Sequence, residues 1–537
     1  MSKKRAFLLV IIALVILPYL VYAGNPCVAP QAPMNINDST TFCSGTYTLT
    51  SGDADSNIFN VTNSSIRIDC NASVIIGDSE DALFNIYPGD INNQFSNITI
   101  TNGCNFQGFT IGILVNHTNN SYFTDIVFNM TETNAINVYE SFYNTYGNLS
   151  IINTTVGKNM LLIGNGSHSI FHNITLNYAA GDTASSRGFR FSENTTNVSI
   201  ISAFVNSSAG LASIIETNDA FLFNSLIINN TFWSSNGAGI AVRLEGVNIT
   251  IDGNRFENGT TLQADRSNPD VNNVIADNWV IKHNIFNGTS RGNGGAVEIV
   301  GNNVSIINNT FTNIRPSGGS NGFAIMLLFV NGSIIANNTI KNATDGIAVA
   351  GNSGTFNGNS SNSNVTISGN FIDNISRYGI TVGGINISVL NNSINNVDTS
   401  GIYAVTFNES ILANNTITYS ITGITIGESA NFTFVDNNIT HGSFGIDANS
   451  GFFNFYARRN SLINLSISGM RFDGPDAFTN ITLIGNVIKN SSLYGILFSN
   501  VSDSLLDMNI IETGVGADSA GIIFKDSLLK NCIASFR

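Results

Sequence analysis

The chain has 537 residues, only 11% of them charged, and 22 basic against 36 acidic side chains leave a formal net charge of −14. That balance excludes a nucleic-acid ligand, which needs a basic footprint, and repels polyanions on average. With 43% hydrophobic residues and so few charges, Asn, Ser and Thr must cover the surface, and the even composition along the chain favours one repetitive body over several domains.

At the N-terminus Lys3, Lys4 and Arg5 precede an apolar run from Ala6 to Leu17, and Val21-Tyr22-Ala23 is a small-residue cleavage pattern. Residues 1–23 therefore read as an export signal. Left uncleaved, the run from Ala6 to Ala23 approaches the roughly 20 residues of a membrane span and would act as an anchor, the sole membrane contact expected. In both cases the rest of the chain is secreted, periplasmic or on the cell surface. Cys27, Cys43, Cys70 and Cys104 suit an oxidising compartment. Cys27 with Cys43 and Cys70 with Cys104 is the expected pairing, although four cysteines allow others, and Cys532 is left over. Residues 24–57, with Pro26, Pro30 and Pro33, read as a cap over the first coil, because an open β-edge recruits other strands.

From Asn57 short apolar–polar alternations separated by turn residues begin: NIFNV, SIRID and SVIIG. Downstream, GITVG, GIYAV, GITIG and GIDAN start at Gly379, Gly401, Gly423 and Gly445, with 22 residues between successive starts. Behind each copy stands an asparagine at a turn: Asn392, Asn415, Asn437 and Asn460. Two short strands and a fixed turn asparagine per 22 residues are the signature of a β-solenoid. Ile347, Ile380, Ile402, Ile424 and Ile446, each after the unit glycine, should stack inward, while Tyr403, Asp447 and Arg471 point out. Asparagine suits such corners because it tolerates the left-handed backbone, and stacked asparagines can bond one another. About 20 coils at strand spacing would make a rod on the order of 95 Å long.

Anchor asparagines at 230, 254, 284, 309, 338 and 370 show that the coils ending at Asn284, Asn338 and Asn370 are stretched to 30, 29 and 32 residues. Insertions in solenoids form loops on one face, often the binding face. The repeat continues to Asn531 without a terminal cap, so a partner over the C-terminal edge, or a longer chain, is expected.

This unit, with the opening FCSGTYTLTSGDADSNIFNVTNSSIRIDCNASVIIG from Phe42 to Gly77, resembles right-handed parallel β-helix proteins of the pectate-lyase-like superfamily. It is similar in particular to β-helix repeat proteins, a group that includes a periplasmic copper-processing family. The resemblance implies an all-β, right-handed parallel β-helix (β-solenoid) of roughly 20 coils over residues 58–537. For activity it implies cleavage or epimerisation of acidic polysaccharides. The motifs of the polygalacturonase-like and pectate-lyase groups are absent, however, and His441-Gly442 alone echoes them.

Stacking on the anchors gathers charge in one region: Arg243, then Asp265, then Glu298 in one outward column, and Asp252 under Lys282 with Gly253 under His283. Asp265, Arg266, Asp270, Asp277 and Arg291 are close by. Arg243, Asp265 and Glu298 are the candidate catalytic residues, where carboxylates would bind a metal or abstract a sugar proton. The competing reading is cross-strand ion pairing, as for Asp447 with Arg471 and Asp436 with Arg459. The five histidines are scattered, His168 and His172 being the one close pair. No cofactor is expected apart from calcium as an open option.

Asn-X-Ser/Thr occurs in almost every coil, with Asn97, Asn148, Asn248, Asn303, Asn364, Asn386, Asn431 and Asn480 as glycosylation candidates. Turn asparagines before strand hydroxyls generate this tripeptide by chance, and Asn308, Asn337 and Asn414 overlap the anchors, so a minority is expected to be modified. The function expected is a non-catalytic, exported rod that binds polysaccharide or a surface glycan, adhesin-like or structural. The alternatives are a polysaccharide lyase or epimerase and a periplasmic metal-handling accessory.

Overall fold

A computed structural model describes residues 26–537 apart from 51–56, 78–81, 91, 130–132, 155–158, 179–186, 208–212, 218–219, 235–239, 265–275, 289–294, 316–321, 350–361, 515–518, 526–532 and 537. The export signal and Cys532 lie outside the described residues. Every regular element among them is a β-strand, and every strand pairing is parallel to the preceding or following coil. The chain is a right-handed parallel β-helix with three sheets, here A, B and C in the order the chain visits them. Sheet A carries Ile347, Ile380, Ile402, Ile424, Ile446, Met470 and Ile496 in one register column. Thr366, Ser388, Ile411 and Thr433 run along sheet B. Thr416, Asn438, Ser461 and Val487 run along sheet C.

Alternation explains the core. In sheet A the isoleucine column and, two residues on, Val349, Val382, Ala404, Ile426, Ala448, Phe472 and Phe498 are all at most 1% exposed. Sheet C adds ring stacks such as Phe256, Phe286 and Phe311, with centroids 4.4 and 4.8 Å apart. The unit glycine is required by proximity: a Cβ on Gly423 would lie 2.4 Å from Ile439 Cγ2 and 2.6 Å from the carbonyl oxygen of Gly445 in the next coil.

The anchor asparagines form an internal ladder at the B-to-C corner. Asn392 sends both its Nδ2 and its backbone N–H to Oδ1 of Asn415, at 2.9 and 3.0 Å. The same double bond repeats from Asn230 through Asn254, Asn284, Asn309 and onward to Asn509. The left-handed backbone falls one residue earlier than expected, on Asn391, Asn414, Asp436 and Arg459, with φ between 53° and 57°. The anchor therefore supplies hydrogen bonds from inside, and its predecessor makes the turn. Asn308, Asn337 and Asn414 are accordingly exposed corner residues, while the ladder belongs to Asn309, Asn338 and Asn415.

The first coil forms inside the segment expected to be an irregular cap. Met34–Ile36, Thr40–Thr41 and Thr46–Thr48 pair in parallel with Phe59–Val61, Arg67–Asp69 and Val74–Ile76. Cys27 is bonded to Cys43 across this coil, and Cys70 to Cys104 between the following ones.

Candidate functional site

On the outer face of sheet A one column runs Arg190, Glu216, Arg243, Gln263, Glu298, Met326. Gln263, rather than Asp265, stands between Arg243 and Glu298, and the register is irregular between Ile240 and Val242. Asp265, Arg266, Asp270 and Arg291 lie outside the described residues. The column is occupied with its own pairing. Glu216 is 5% exposed, bonded to Arg187 Nε and 3.8 Å from Arg243 Nη1. Glu298, also 5% exposed, accepts from Gln263 Nε2 at 2.9 Å. A base that takes a sugar proton must face the substrate, and these carboxylates face arginine and glutamine. On sheet B Asp252 does sit beneath Lys282, 3.4 Å away, and 2.9 Å from His283 Nδ1.

Two further pairs on the outer face of sheet A tie successive coils together. Asp345 accepts from Arg377 Nε and Nη2 at 2.8 and 2.7 Å and from the Tyr378 N–H at 3.3 Å. Burial pushes the Asp345 carboxyl above its ordinary pKa, with Arg377 pulling the other way. Asp447 accepts from Arg471 at 2.6 and 2.7 Å, and the Arg471 guanidinium lies 4.1 Å over the Phe444 ring. Tyr378 stacks on Tyr403 at 5.0 Å.

His168 stacks on Tyr143 at 4.5 Å and its Nε2 is 2.7 Å from Asn197 Nδ2, so it is engaged without His172. Among the described residues no three His, Cys, Asp or Glu side chains converge on one point.

A concavity with free chemistry lies in the regular coils. A groove of about 690 Å³ runs along the A-to-B corner and is lined among others by Thr406, Asn408, Glu409, Glu428, Phe453 and Asp476. Its floor is fixed by coil-to-coil bonds: Asn408 Oδ1 accepts from the Ala430 N–H at 2.7 Å, and Ser429 Oγ from the Phe407 N–H at 3.1 Å. Asn431 Oδ1 accepts from Asn454 Nδ2 at 2.6 Å. Glu409, Glu428 and Asp476 are exposed, and among the described residues no hydrogen bond or ion pair engages their carboxylates. Phe453 is 57% exposed and Ile385, at the other end, 49%. Among the described residues no lysine, arginine or histidine lines the groove. An exposed ring beside unengaged acceptors can stack on the apolar face of a sugar while taking its hydroxyl or ammonium protons. Periodicity conceals this site, because Glu409, Glu428, Phe453 and Asp476 stand at different positions of different coils.

No protein-family model and no curated protein matches the chain. Among solved structures it is similar to PfbA, a surface adhesin of Streptococcus pneumoniae, at 9% identity over 79% of this chain and 84% of that chain, with a TM-score of 0.30. It is similar to the tailspike protein of E. coli bacteriophage HK620, solved with a pentasaccharide, at 13% identity over 78% and 74%, TM-score 0.34. A PL6-family alginate lyase, AlyGC, aligns at 10% identity over 94% and 95%, TM-score 0.28. These are likenesses at identities too low to carry function.

Proposed function

We propose that the protein is an exported rod that binds glycans in the groove between Ile385 and Ala477, and that its ligands are neutral or amino-bearing rather than uronate polymers. The observation that carries this reading is the lining itself: an exposed Phe453 ring next to three unengaged carboxylates and, among the described residues, no cation. Such a groove repels polyanions, as does the net charge of −14. Two disulfides and the signal-like N-terminus support an oxidising, extracytoplasmic setting. A lyase or epimerase centred on Arg243 and Glu298 has less support, since Arg243 is drawn to Glu216 and Glu298 to Gln263.

The test is binding of the full-length protein to immobilised neutral, amino-bearing and uronate polysaccharides. Binding to the first or second class is expected, weakened about 3- to 10-fold in Phe453→Ala by loss of the ring contact. Binding confined to uronates, or indifferent to Phe453→Ala, overturns the assignment. Release of an unsaturated sugar would move the function to the enzymatic reading.

A further inference from the structure

Two corners of the rod carry a pattern that the fold does not require. At the B-to-C corner, sixteen successive coils from Asp125 to Met508 place a residue with φ between 50° and 65°. Seven of these are asparagine: 148, 173, 229, 308, 337, 391 and 414. Each is followed two residues on by Ser150, Thr175, Thr231, Thr310, Thr339, Ser393 or Thr416. The other nine corners lead to Val127, Phe204, Arg255, Ile285, Phe371, Asn438, Val487 and Ile510, with Ser461 the single hydroxyl.

The A-to-B corner behaves alike. Asparagines 97, 197, 248, 303, 364, 386, 431 and 480 are followed two residues on by Ser or Thr, and Asn120, Asn224, Asn278 and Asn454 are not. Of the corners at Tyr143, His168, Gly332, Glu409 and Asp503, only the first has a hydroxyl at that place, Thr145.

A hydroxyl needed for strand packing would follow glycine or histidine corners as often as asparagine corners. A hydroxyl that supported the asparagine would bond it, and among the described residues none does. The corner amides bond from coil to coil instead: Asn248 Nδ2 to Asn224 Oδ1 at 2.9 Å, Asn386 to Asn364 and Asn480 to Asn454 at 2.6 Å. The intervening residue is buried, as Ile249, Ile387 and Asn309 are, so asparagine and hydroxyl stand on the same outer side. What demands both residues at this spacing is the acceptor signal for N-linked sugar.

We infer that both edges are N-glycosylated, with these fifteen asparagines as acceptors. Asn431 lines the groove, so sugar there would stand at the edge of the proposed binding site; at the other fourteen positions the inference does not rest on what the groove binds. Nδ2 bonds to the anomeric carbon of a lipid-phosphate-linked sugar; the bond from that carbon to the phosphate oxygen breaks, the lipid phosphate leaves, and one Nδ2 proton passes to a base of the transferase. The second Nδ2 proton remains, so the coil-to-coil bond survives modification.

The test uses full-length protein purified from the cells that naturally make it. Glycopeptide mass spectrometry is expected to find sugar on asparagines of both edges, at more than half of the fifteen. Thr250→Ala and Thr310→Ala should remove it from Asn248 and Asn308 alone, and should leave the melting temperature of unglycosylated protein, made in a bacterial periplasm, within about 2 °C. A native mass equal to the bare polypeptide overturns the proposal. So does a fall of more than about 5 °C in the unglycosylated variants, which would assign the hydroxyls a structural purpose.

Discussion

Asn415 Oδ1 receives two hydrogen bonds from one residue, the backbone N–H and the Nδ2 of Asn392 one coil earlier, at 3.0 and 2.9 Å. Both partners are at most 1% exposed, so nothing else can take up those protons. Asn415→Ala strands two buried donors on Asn392, at about 1–3 kcal/mol each. The expected loss is about 2–5 kcal/mol, confined to neighbouring coils because solenoid stability is a sum over neighbours. Native-state hydrogen exchange should show the coil of Asn392 opening first.

Glycine at two kinds of position predicts opposite outcomes. Gly423→Ala forces a Cβ to within 2.6 Å of the Gly445 carbonyl oxygen and should cost about 1–3 kcal/mol in denaturant unfolding. Gly485 has φ +61°, and a Cβ added there would come no closer to a neighbour than 4.0 Å, from Arg459 Cγ. Its column accepts asparagine in the same conformation at Asn391 and Asn414, so Gly485→Asn should be neutral or stabilise by up to about 1 kcal/mol.

Two aspartates should give opposite pH dependences. Asp436 is held below its ordinary pKa by the Arg459 hydrogen bonds, at 2.7 and 2.6 Å. Its stabilisation is present above the unfolded value, about 3.9, and is lost as pH falls through the depressed one. Asp345 is raised by burial, so the native state holds its proton more tightly, and stability falls as pH rises from about 3.9 through the raised value. Carbon-detected NMR titration should place the two midpoints on either side of the ordinary aspartate value, and the same order for both would contradict this assignment.

Removing the Cys70 to Cys104 bond frees a separation of 34 residues. Chain-entropy arguments put the cost at about 4 kcal/mol. The paired Cys70→Ser, Cys104→Ser variant should lose exchange protection around Ile68, Ile75 and Ile100 while the coils beyond Asn392 stay protected.

The fold was legible because a strict repeat exposes alternation: Ile402, Ile424 and Ile446 could be aligned by counting, and all are buried in one column. Counting failed where coils change length. Distance from the anchors aligns Asp265 with Arg243, whereas backbone pairing puts Gln263 there through an irregularity after Ile240. The groove was invisible for a related reason, since it joins side chains with no common place in the repeat. At the corners the sequence does not separate ladder from bend, because the anchor and its predecessor are both asparagine in Asn308-Asn309 and Asn414-Asn415.

The corners also separate shape from content. Asp436, Arg459 and Met508 all adopt a left-handed backbone that costs most side chains about 1 kcal/mol or more, at places where asparagine or glycine would adopt it readily. Coil closure on both sides therefore dictates the bend, and the side chain is free to vary. Each corner is a line of interchangeable positions spaced one strand apart, about 4.8 Å, along a rigid axis. Charge, ring or sugar can be rewritten there, one coil at a time, without disturbing the rod that displays it.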